Sequence, residues 1–69
     1  MAKMSRLRGK IIERETTQEA VADRMGIDRS TFYRKMKKGG NPFTVEDVQK
    51  IAEILALTST EVMKIFFDM

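Results

Sequence analysis

Residues 17–38 read "TQEAVADRMGIDRSTFYRKMKK". Two amphipathic runs flank Gly26, and the way they join decides the fold. In the first run Val21 and Met25 lie four apart with the small Ala22 beside them, so they share a helical face. Thr17 is the expected N-cap, leaving Gln18 at the first helical position. Thr16 with Glu19 would form a capping box one residue earlier. Gly26 suits the left-handed position that closes a helix. Asp28 then caps the next helix, with Ile27 and Phe32 at the two ends of a hydrophobic staple. Phe32 and Met36 form the inward side of that helix. Only the short "GID" connects the two runs, and Ala22 and Gly26 are small where steeply crossing helices meet. This is the pattern of a helix-turn-helix, spanning about residues 17–38.

The flanking sequence supplies partners for this pair. A first helix from about Met4 to Glu15 carries the stripe Met4, Leu7 and Ile11. Gly9 interrupts it at up to about 1 kcal/mol relative to alanine; close approach of another backbone would account for it. Pro42, the only proline, lies in "GGNPF" and ends the third helix. Thr44 starts a fourth, with Asp47 reciprocating and Phe43 stapling to Val48. Its buried stripe is Val48, Ile51, Ala52 and Leu55. Thr58 with Glu61, and Leu57 with Val62, repeat the device for a fifth, whose inward face is Val62, Ile65 and Phe66. Strand signals are weak. The expected fold is all-α, one compact bundle of five short helices over residues 1–69.

The 69 residues include no cysteine and no histidine. That excludes disulfide staples and thiolate zinc sites, and removes the commonest general base. The six methionines read as adaptable core filler. With no phosphate-binding glycine motif and no paired carboxylates in an evident pocket, no enzyme, cofactor or metal site is expected. No apolar run approaches the ~18 residues of a membrane span, and the basic N-terminus lacks a signal-peptide core. A cytoplasmic location, near the nucleoid, is expected. The net charge of +3 hides an asymmetry: residues 1–38 hold eleven basic and five acidic side chains, residues 39–69 two and five. The positive half suits a polyanion.

On the third helix Arg29, Ser30, Tyr33, Arg34 and Lys37 share a stripe apart from Phe32 and Met36. Burying Phe32 therefore aims the stripe outward and leaves the guanidinium groups of Arg29 and Arg34 pointing away from the protein. Arginine matches O6 and N7 of guanine as a bidentate donor, and acids near these two are scarce. Arg29 and Arg34 are the expected base readers, with Ser30 and Tyr33 beside them. Thr17 and Gln18 open a helix whose free N–H groups favour a phosphate. Lys37, Lys38 and the amides of Gly39, Gly40 and Asn41 follow the same strand, and Thr44 opens another helix nearby. Lys3, Arg6 and Lys10 are further candidates for phosphate contact. The competing reading is a protein-interaction module, but such a face should show apolar anchors. Met63, Phe67 and Met69 form a second apolar side of the fifth helix and are candidates for a homodimer contact; alternatively, Phe67 folds back on the first helix.

Taken in order, Thr17, Gln18, Glu19, Ala22, Gly26, Ile27, Arg29, Ser30, Thr31 and Phe32 resemble the helix-turn-helix of the phage repressor and Cro family, also called the XRE family. "NPFTVEDVQKIAEILALT" resembles its fourth helix and following turn, so the likeness covers about residues 5–65. It implies a lambda-repressor-like fold and a third helix in the major groove of duplex DNA. It further implies a glutamine, here Gln18, on the DNA backbone, and pairing of two copies on a palindromic operator. With no second domain following, it implies a Cro-like or minimal repressor of a phage or prophage without a small-molecule effector. Two positions depart from the pattern. Lys35 stands where the family places an apolar residue, with Met36 expected to take over that packing. Ala56 stands where many members have glycine.

Overall fold

Five helices form among residues 4–37 and 43–67, which the computed structural model describes: α1 (Met4–Glu13), α2 (Gln18–Met25), α3 (Arg29–Lys37), α4 (Val45–Leu55) and α5 (Ser59–Phe66). No strand occurs among the described residues. Threonine hydroxyls set three of the starts. Thr17 Oγ1 accepts the Ala20 N–H at 3.1 Å. Thr44 and Asp47 form a reciprocal capping box, each bond 3.1 Å, and Thr58 with Glu61 another, at 2.9 and 3.2 Å. Such caps contribute about 1 kcal/mol each. α3 begins differently: the Asp28 carbonyl accepts the Phe32 N–H at 3.1 Å. The expected side-chain cap from Asp28 is not formed among the described residues.

Three helices close alike. Thr16, Ile27 and Leu57 donate back to the carbonyls of Ile11, Ala22 and Ala52 at 3.1, 3.2 and 2.9 Å. This bond needs a left-handed residue just before the donor, and Glu15, Gly26 and Ala56 supply it with φ of 57°, 77° and 53°. Only Gly26 adopts that conformation without a Cβ penalty. The first of these turns also explains why α1 stops at Glu13 rather than at the expected Glu15.

The inward stripes meet in one core of Met4, Leu7, Ile11, Val21, Ala22, Met25, Phe32, Met36, Ile51, Leu55, Ile65 and Phe66. Val48 and Val62 pack half-buried against it, as do the staple residues Ile27, Phe43 and Leu57. α2 packs on α3 and α4, α1 on α5, and α4 on α5. The Phe43 ring bridges Phe32 at 5.8 Å and Phe66 at 6.1 Å, tying α3 to α5.

Lys35 shows how its departure from the family pattern is accommodated. Its stem is largely covered, and its ammonium lies 2.8 Å from the Asp47 carboxylate and 5.7 Å from the Phe43 ring centre. Burial raises the Asp47 pKa, but the bonds from Lys35 and from the Thr44 amide outweigh it, and the net shift is downward. Met36 fills the core beside it. Ala56 keeps the left-handed turn that glycine would make. The expectation for Gly9 fails: a Cβ built there meets nothing within 4 Å, so no backbone among the described residues approaches it. No described helix is long and apolar enough to cross a membrane.

Candidate nucleic-acid interface

The three-residue link Gly26–Asp28 delivers Arg29 at the first position of α3. From there Phe32 and Met36 turn inward, at 0% and 3% exposure. Arg29, Ser30, Tyr33, Arg34 and Lys37 are exposed, as the stripe predicts. Arg34 and Lys37 make no hydrogen bond or ion pair among the described residues. Lys38, Gly39, Gly40, Asn41, Met69 and Lys3 lie outside the described residues.

Arg29 corrects the expectation that acids near the readers are scarce. Its Nε donates to Asp23 Oδ1 at 3.2 Å and its Nη2 to Oδ2 at 2.8 Å. The partner stands six residues upstream, in the last turn of α2, and the Gly26 turn folds it back onto α3. One edge of the guanidinium is thus held within the protein, while the pair as a whole stays exposed. The guanidinium holds the Asp23 carboxyl below its ordinary pKa, and the carboxylate raises that of Arg29. Tyr33 is similar: its hydroxyl donates to the Glu19 carboxylate. That bond lowers the Glu19 pKa and raises the Tyr33 pKa.

Thr17, Gln18, Glu19 and Tyr33 line one shallow depression together with Arg8, Ile12 and Thr16. The fold thus unites a base-reader candidate with the start of α2, where unpartnered N–H groups suit an anion. Arg8 went unread in the sequence. Arg8 and Ile12 are four apart on the flank of the Met4, Leu7 and Ile11 stripe, a spacing that does not by itself place them beside α2. Ile12 is 74% exposed there. Thr17 and Thr44 Oγ1 are occupied as caps.

Arg6 and Lys10, candidates for phosphate contact, face α5 instead. Arg6 Nη1 donates to the Lys64 carbonyl at 3.3 Å. Lys10 pairs with Glu61, and with Glu13 at 2.9 Å. Phe67 is 52% exposed and Met63 40%. Among the described residues no cluster of histidine, cysteine or carboxylates could hold a metal ion.

No curated protein and no solved structure matches the chain significantly. No match to the phage repressor and Cro family accompanies the motif's resemblance to it. A family match is found for residues 3–66, nearly the whole chain: the chain belongs to the BetR domain family, a small helical regulatory domain.

Proposed function

We propose that this domain is a sequence-specific regulator that binds double-stranded DNA with α3 in the major groove. One observation carries the reading: burying Phe32 and Met36 leaves Arg29, Ser30, Tyr33, Arg34 and Lys37 on the exposed side of α3. Guanidinium groups and a phenol suit base edges, and Lys37 suits phosphate. Arg8 and the start of α2 add a second patch for the backbone. The domain is 29 Å in its longest extent, less than the ~34 Å between successive major grooves on one face. One copy therefore reads one half-site, and a palindromic operator takes two. The exposed Met63 and Phe67 on α5 are the apolar surface offered for that pairing. The resemblance to phage repressors and Cro supports a regulator of phage or prophage origin.

Selection of bound sequences from random duplexes, followed by footprinting at two salt concentrations, tests this. The expected product is a palindrome with guanines at fixed half-site positions. Neutralising about six phosphates gives a log–log affinity slope near −5. Arg34→Ala should relax one base position by about 1–3 kcal/mol, and Lys37→Ala should weaken all sequences alike. A protein that ignores duplexes at low ionic strength ends the proposal.

A further inference from the structure

Asp23 and Glu19 are one turn apart on α2, and Arg29 and Tyr33 are one turn apart on α3. Asp23 holds Arg29, and Glu19 holds Tyr33. These contacts put two carboxylates beside the surface that the proposed function turns toward a polyanion. Neither member of the first pair sits where helix stability favours it. A carboxylate in the last turn of α2 and a cation at the start of α3 both oppose the local helix dipole. An exposed ion pair also contributes little to folding. Its consequence is therefore to be sought in orientation.

The atoms involved show which. Asp23 takes the side edge of the guanidinium, Nε and Nη2. The end edge, where Nη1 and Nη2 project parallel N–H bonds, has no partner among the described residues. That end edge presents two parallel donors, which match O6 and N7 of guanine. We propose that Asp23 is a positioning residue for base recognition: it fixes Arg29 with its end edge outward and repels phosphates that would otherwise capture the side chain. Glu19 holds the Tyr33 hydroxyl one turn further along. This rests on the DNA-reading function proposed above and adds a source of specificity to it.

The experiment measures binding of parent, Asp23→Ala, Arg29→Ala and the double variant to the selected duplex, to its single-base variants and to a scrambled duplex. Asp23→Ala should relax the same base position as Arg29→Ala, by roughly 5-fold or more. It should bind the scrambled duplex as tightly as the parent or more tightly. In the Arg29→Ala background, Asp23→Ala should leave the base profile unchanged. An unaltered profile for Asp23→Ala, or equal weakening on every duplex, overturns the inference while leaving the DNA-reading function standing. A parent that binds no duplex overturns both.

Discussion

Arg6 and Lys10 of α1 and Arg29, Arg34 and Lys37 of α3 come from the same basic half of the chain, and the fold uses the two sets in opposite ways. On α1, Arg6 donates to a carbonyl of the last turn of α5, and Lys10 pairs with Glu61. Just beyond that helix Arg14 Nε donates to the Leu55 carbonyl at the end of α4, at 2.8 Å. Cations at helix C-termini satisfy carbonyls that the helix leaves unpaired. These three side chains fasten α1 to its neighbours. On α3, Arg34 and Lys37 reach solvent, and Arg29 is held along one edge only. Local charge density therefore marks a basic half without locating an interface. What distinguishes the two helices is whether a carbonyl end or a carboxylate stands within reach once the core has closed.

The largest test of this contrast is at its pivot. Phe32 is fully buried and is the residue that fixes which side of α3 faces out. Phe32→Ala should cost about 3–5 kcal/mol. That is a large share of the stability of so small a domain, so the variant should be largely unfolded and lose DNA binding. Denaturant unfolding followed by circular dichroism reads it. A midpoint close to that of the parent would mean that α3 is not anchored through this ring.

A smaller effect separates the two sets of cations directly. The Lys10 ammonium and the Thr58 amide bring the Glu61 pKa down to about 2 from 4.5. A carboxyl whose folded value is depressed contributes stability above its unfolded value. That contribution is lost as pH falls from about 4.5 to about 2. Lys10 is raised above 10.5, chiefly by its bond to Glu61, so its share is lost at alkaline pH. Lys10→Met should therefore lower stability at neutral pH and flatten the acid unfolding curve in that window. DNA affinity at neutral pH should not change. If Lys10→Met weakened binding as much as Lys37→Ala, the distinction between fastening and reading cations would collapse.

Much of the fold was legible because it rests on local chemistry. Thr17, Thr44 and Thr58 announce their helices, and apolar residues three and four apart name nearly every core side chain. Gly26 announces its turn because only glycine takes that conformation without cost. The same turn made by Glu15 and Ala56 carries no such mark, which is why the end of α1 was read two residues late. The stripe on α3 was legible from Phe32 and Met36 alone. The holds on Arg29 and Tyr33 were not. They join residues six and fourteen apart across a turn, and no helical spacing relates them. Arg8 was missed for the same reason: its place beside Gln18 and Tyr33 depends on how α1 lies against α2.

The smallest effects lie in backbone conformation, and they test the fastening side of the molecule on its own. Gly9 is helical and nothing stands within 4 Å of an added Cβ, whereas Ala56 carries a Cβ at φ 53°. Each position holds the residue that suits the other. Gly9→Ala should stabilise by about 1 kcal/mol. Ala56→Gly should gain somewhat less, about 0.5–1 kcal/mol, because relief of left-handed strain is partly offset by glycine's greater freedom when unfolded. For a domain of this size each kcal/mol moves Tm by roughly 4–8 °C, so thermal melts resolve both. A Cβ at Gly9 meets no neighbour through which the two sites could couple, and their effects should add. Neither change touches α3, and DNA affinity should stay at the parent value. A Gly9→Ala variant that is more stable but binds DNA less well would show that the Arg6–Lys10 face of α1 does more than fasten, and would move the boundary of the interface onto it.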